Sequence, residues 1–131
     1  MRRRYFFYGT LRSGFWNNHY INRQRGPNLA VTTDLFRLFI GDHGIPFLVK
    51  DPTGYPIIGE VWELDIATQD LIYRLEQGYD HGDFDVVLAN GEKVQATLFY
   101  ANSLESSVYG TKNDIEETSG DYAKNRRSRE P

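Results

Sequence analysis

Cysteine is absent from this chain. That absence removes disulfides, thiolate nucleophiles and thiolate metal sites together. Histidine is scarce, at three residues, and methionine occurs once. No apolar run approaches the roughly 20 residues of a membrane-spanning helix. The Met1-Arg2-Arg3-Arg4 start carries the charge of a secretion signal, but only four apolar or aromatic residues follow before Gly9. Glycine-rich dinucleotide and phosphate-loop patterns are missing, and no serine sits in a nucleophile elbow. A net charge of −3 gives no global reason to bind nucleic acid or an acidic membrane. Two short basic clusters, Arg2-Arg3-Arg4 and Arg126-Arg127 with Arg129, are read as solvated ends rather than a nucleic-acid footprint. The expectation is a soluble, cytoplasmic protein without a membrane or nucleic-acid partner.

What the chain does have is rings. Nine Tyr and eight Phe contribute to an aromatic share of 15%, so the expected core is built from side chains whose hydroxyls need partners. A length of 131 residues suits one domain, expected over 1–110, with a polar and basic tail, 111–131, that packs on it or stays loose.

Tyr5 to Tyr8 reads as a short buried strand. The polar stretch 18–28 has room for a short helix. Strands are expected over 32–40 and 45–49, with Pro46 placing the second at an edge or bulge. Asp51-Pro52-Thr53-Gly54 is a turn. A further strand, 57–64, contains Gly59, which marks a bulge or a close backbone approach. Asp65 then offers an N-cap for a helix ending near Gln77, with Gly78 as its stop. Strands over 84–89 and 93–100 flank Asn90-Gly91, the strongest hairpin signal present. One helix among many strands cannot supply repeated parallel crossovers. The fold class is therefore α+β: a small mixed, mostly antiparallel sheet that curls toward a barrel.

Chemistry has few candidates. His43 and His81 each sit between Asp and Gly in expected loops, and no His pair has the helical spacing of a zinc site, so exposed turn residues are the simpler reading. Glu76 falls in the last turn of the helix, where the macrodipole disfavours a carboxylate by about 0.3–1 kcal/mol. Either it points into water at a frayed end, or an apolar face holds it partly desolvated and lifts its pKa toward that of a general base. Gly9 and Thr10 are similarly open. They form an ordinary turn, or they present successive backbone N–H groups to a carboxylate or oxyanion.

Tyr8-Gly9-Thr10-Leu11, followed by Gly14 and Asn17, resembles the YGTL(K/R)xGxxN signature of the gamma-glutamylcyclotransferase-like family, with the nearest likeness to gamma-glutamylamine cyclotransferases. DHGIPFLV (42–49), IIGEVWELD (57–65), LIYRLEQGYD (71–80) and GEKVQATLFYA (91–101) are similar to later blocks in the same order, and SGDYAKNRR to the tail. The resemblance implies a small mixed barrel with flanking helices. It also implies an intramolecular aminolysis of a gamma-glutamyl amide, giving 5-oxoproline and a free amine, without metal or cofactor. Glu76 would be the catalytic acid–base. The amides of Gly9, Thr10 and Leu11 would cradle the substrate, Tyr8 and Asn17 would brace that turn, and Tyr100 would wall the pocket. The expected partner is a small gamma-glutamyl amide, bound by a monomer. Two departures stand out. A Tyr-x-Arg pair common in relatives is replaced around Phe84, after an apparent insertion at 80–83, and Phe15-Trp16 is bulkier than usual. They keep a second reading open: a non-catalytic member that binds a small molecule or a partner.

Overall fold

Three consecutive rings, Tyr5-Phe6-Phe7, divide the core of the molecule. In a computed structural model, which describes residues 1–41, 43–101 and 113–129, they lie in the first strand, β1 (Arg3–Phe7). Successive side chains of a strand point to opposite faces. Phe6 accordingly enters one hydrophobic cluster, while Tyr5 and Phe7 enter another.

The first cluster fills a closed barrel. β1 pairs antiparallel with β5 (Ile58–Leu64), β5 with β2 (Arg25–Thr32), β2 with β6 (Asp80–Leu88), and β6 with β7 (Lys93–Tyr100). The parallel pair Tyr5–Thr97 between β1 and β7 closes the ring. Closure needs β5 to cross tightly beside β1, and Gly59 permits it. A Cβ there would stand 2.4 Å from the Phe7 carbonyl oxygen and 2.6 Å from the Phe6 ring. The expected mixed, mostly antiparallel barrel is what forms.

The second cluster lies outside the barrel, beneath α1 (Ile66–Leu75), and joins Tyr5, Phe7, Leu11, Trp62, Leu64, Ile72 and Phe99. The Asp65 carboxylate caps the helix by accepting from the Thr68 N–H at 2.8 Å. The buried Gln69 pins the helix down, accepting from the Tyr5 hydroxyl at 3.2 Å and donating to the Leu64 carbonyl at 2.9 Å. Gly78, at φ +97°, turns the chain away after the helix, as the sequence predicts.

A second sheet, ordered β4 (Pro46–Lys50), β3 (Phe36–Ile40), β8 (Ile115–Glu116), packs on the barrel and shares its core. Pro46 does lie on an edge strand. β8 and the turns after it belong to the C-terminal segment, whose Tyr122 is fully buried.

Two expectations are corrected, and a third is made specific. The single strand over 32–40 is two strands, because the Thr32 hydroxyl donates to the Asp34 carbonyl and accepts from the Ile57 N–H, fixing a corner. The short helix for which 18–28 has room is a single 3₁₀ turn, Asn18–Tyr20. β2 begins already at Arg25, in a half too exposed to carry an apolar signal. Residues 80–83 are not a loop: they extend β6, held by pairing from Asp80–Tyr100 to Asp83–Thr97 and by the Thr97 hydroxyl on Asp83.

Candidate active site

β1 ends at Phe7, and the chain then folds into consecutive tight turns. The Arg12 N–H donates to the Gly9 carbonyl at 3.0 Å, and the Asn17 N–H to the Thr10 carbonyl at 3.0 Å. The Asn17 side chain donates to the Thr10 hydroxyl and the Asn18 side chain to the Leu11 carbonyl, both at 2.9 Å. From below, the buried Glu60 accepts from the Ser13 N–H at 2.8 Å and from the Trp62 indole. These bonds use the turn's carbonyls and hydroxyl. Among the described residues the amides of Gly9, Thr10 and Leu11 donate to nothing, leaving three adjacent N–H groups of the kind that hold an anion.

Glu76 stands at the other side. Its N–H still belongs to the helix, donating to the Ile72 carbonyl at 2.9 Å, and its own carbonyl accepts from Tyr79. The residue is half-buried, at the edge of a cavity, rather than free in water. Burial pushes its carboxyl up to about 7, which is the range where a carboxylate exchanges protons at neutral pH. Of the two readings open at this residue, its half-burial and the direction of the shift favour the partly desolvated one. The hydroxyl of Tyr8 is driven well above its ordinary range by burial and then by the neighbouring charge of Glu76. It therefore stays protonated, donating to the Phe99 carbonyl at 3.4 Å.

A cavity of about 170 Å³ separates the turn from Glu76. That is below the roughly 300–1,000 Å³ of sites that enclose drug-sized ligands, so it suits a small polar head with the rest of its molecule outside. Tyr8, Gly9, Thr10, Leu11, Asn17 and Glu76 all line it. Tyr100 does not. On β7 it shares a face with Val94, Ala96 and Leu98, which points into the barrel, and its ring packs against Phe84 and Phe36. Sequence reading missed Pro46, Leu75 and Tyr79 as wall residues. The signal for Pro46 was Gly9: a Cβ at Gly9 would lie 2.3 Å from the Pro46 Cγ, so the proline ring rests on the turn itself.

Phe84 also lies away from the cavity. Its ring sits inside the barrel, edge-on to Phe36 and Tyr100 at 5.4 and 5.6 Å. His19, His43 and His81 are exposed and none lines the cavity. Among the described residues no cluster of three His, Asp or Glu is arranged to hold a metal ion. No helix among them is long and apolar enough to cross a membrane.

Residues 5–124 match the family described as Gamma-glutamyl cyclotransferase, AIG2-like. A provisionally named gamma-glutamylcyclotransferase of Methanocaldococcus jannaschii is 29% identical over 99 residues, covering 72% of this chain and 81% of the relative. A second, from Drosophila melanogaster and equally provisional in name, is 29% identical over 109 residues, covering 76% and 69%. In fold, the chain is similar to the crystal structure of an AIG2-like protein from Mus musculus, with a TM-score of 0.71 at 24% identity, covering 78% of this chain and 79% of that one.

Proposed function

The chain belongs to the gamma-glutamyl cyclotransferase, AIG2-like family and is an enzyme of the gamma-glutamylcyclotransferase type; from that premise we propose that its substrate is a gamma-glutamylamine, cyclised to 5-oxoproline with release of the amine. One observation carries the reading: a carboxyl poised near neutrality faces three unspent backbone amides across one small cavity.

The chemistry asks little of the protein. The substrate's own alpha-amino nitrogen attacks its gamma-carbonyl carbon. A ring C–N bond forms and the amide C–N bond to the leaving amine breaks. Glu76, as carboxylate, takes one proton from the alpha-ammonium before attack. The ring nitrogen sheds a second as the tetrahedral carbon collapses, and the departing nitrogen takes up both, one of them from Glu76, to leave as an ammonium. The amides of Gly9, Thr10 and Leu11 hold the glutamyl carboxylate or the oxyanion as the tetrahedral carbon develops. Bringing amine and carbonyl into a five-membered approach supplies much of the rate, since the step becomes intramolecular positioning. Leu75 and Pro46 give the rim an apolar character suited to the carbon chain of the leaving amine.

The test is 5-oxoproline release from a panel of gamma-glutamylamines, including gamma-glutamyl-epsilon-lysine. Wild-type protein should release it, and Glu76→Gln should lower kcat by about 10²–10⁴-fold, the usual contribution of a positioned acid–base. Equal rates in the variant would remove Glu76 from the mechanism. No release from any member of the panel, by folded protein, would favour the non-catalytic binding reading instead. The altered stretch around Phe84 gives that reading little support, because its ring is barrel core rather than cavity wall.

A further inference from the structure

The cavity has two walls besides the helix end: the Gly9–Leu11 turn and the Ile45–Pro46 segment. The Ile45–Pro46 segment is tied to the end of β3, through the register pair Ile40–Pro46 and the Gly41 N–H on the Ile45 carbonyl. The C-terminal segment reaches the residue that flanks each wall, Arg12 and Gly44. Asp121 accepts from the Arg12 guanidinium at 2.9 Å, and both side chains are largely withdrawn from solvent. Arg12 is the residue whose N–H closes the turn on Gly9. The next residue, Tyr122, is fully buried, packs its ring on Phe15 at 5.3 Å and donates its hydroxyl to the Gly44 carbonyl. Gly44 leads directly into Ile45 and Pro46, and the Pro46 ring rests on Gly9.

These links form a closed circuit: Gly9, Arg12, Asp121, Tyr122, Gly44, Pro46 and Gly9 again. We infer that Asp121 and Tyr122 are positioning residues that fix both cavity walls from the C-terminal segment, Asp121 through Arg12 and Tyr122 through Gly44. The Gly120 carbonyl, accepting from the Ile58 N–H at 2.8 Å, anchors the segment to β5 just before the pair. A Cβ at Gly120 would lie 2.2 Å from the Pro56 carbonyl oxygen, so the segment approaches as closely as backbone can. Arg12 also keeps a buried Nε without a partner among the described residues. That orientation is kept although it leaves a donor unused, which fits a side chain placed to reach Asp121.

The assignment rests on the proposed reaction for its kinetic consequence, but not for its structural one. Two variants separate the walls: Tyr122→Phe removes one hydroxyl, and Asp121→Asn removes the charge while keeping the cap on the Ala123 N–H. Amide hydrogen exchange is read at Arg12 and Asn17 for the turn, at Gly41 and Gly44 for the other wall, and at Val86 and Val94 as barrel controls. Each variant should speed exchange at both walls, by tenfold or more at its own, and leave the controls unchanged. On the amide that wild type cleaves best, KM should rise about tenfold with the pH midpoint of the rate unmoved, and Asp121→Glu should recover part of it. Exchange unchanged at both walls, or raised equally at Val86 and Val94, overturns the assignment. If wild-type protein releases no 5-oxoproline, the functional reading fails, and the exchange pattern alone still decides the role of the segment.

Discussion

Glu76 gives the sharpest expectations at the level of single residues. Its carboxyl has an ordinary value of 4.5 and is raised to about 7 by burial. Below 4.5 it is neutral in folded and unfolded chains alike. Between 4.5 and about 7 the unfolded chain ionises while the folded one resists, so stability is lost as pH rises through that window. Glu76→Gln removes the penalty. The variant should unfold at the wild-type temperature near pH 4 and at a higher temperature than wild type at pH 8, by thermal scans at both. A difference of the same size at both pH values would mean that the charge is not what burial opposes. Gly9 is constrained by contact rather than charge. Gly9→Ala puts a methyl into the Pro46 ring, so the turn or β4 must shift. Since a misplacement of about 1 Å can cost 10²-fold in rate, 5-oxoproline release should fall by one to two orders of magnitude while circular dichroism shows the fold retained.

At the level of elements, α1 matters because the residue that caps its C-terminus, Glu76, delivers the carboxyl. The helix is short, ten residues, and short helices depend on packing and caps. Asp65 is the cap, and its carboxylate also meets the Gln24 side chain while its N–H donates to Gln24 at 2.8 Å. Asp65→Ala should lower stability by about 1 kcal/mol, the usual worth of an N-cap, as read from the urea midpoint. The pH midpoint of the rate should not move, because Glu76 lies at the opposite end. A shifted midpoint would show that the cap sets the position of the carboxyl.

Across the whole molecule, the barrel and the three-stranded sheet share one core. Phe6, Val61 and Val86 from the barrel and Leu38, Ile40 and Leu48 from the sheet belong to the same buried cluster. Shared burial makes them one cooperative unit. Leu38→Ala should therefore cost about 2–5 kcal/mol, as large-to-small core changes do, and far- and near-ultraviolet circular dichroism should report one coincident transition. Two separated transitions would mean that the second sheet opens on its own.

Some of this was written in local chemistry. Asp65 as cap, Gly78 as stop and Asn90-Gly91 as hairpin turn act within a few residues, so they could be read from the chain alone. The split of Tyr5, Phe6 and Phe7 between two cores needs only strand alternation. Glu76 and the Gly9 turn could be named as candidates, and their resemblance to family blocks singled them out. The sequence could not say that Glu76 is desolvated, because the residues that share its cavity come from β1, β4 and the turn after the helix. Nor could it place Tyr100, whose direction depends on which face of β7 meets the barrel, or show residues 80–83 as strand, because their pairing with β7 outweighs their loop-like composition. The hold of Asp121 and Tyr122 on the cavity walls spans more than a hundred residues of chain between Arg12 and Asp121. Local signals decay within a turn or two of backbone, so contacts at that separation are decided only when the tertiary structure closes.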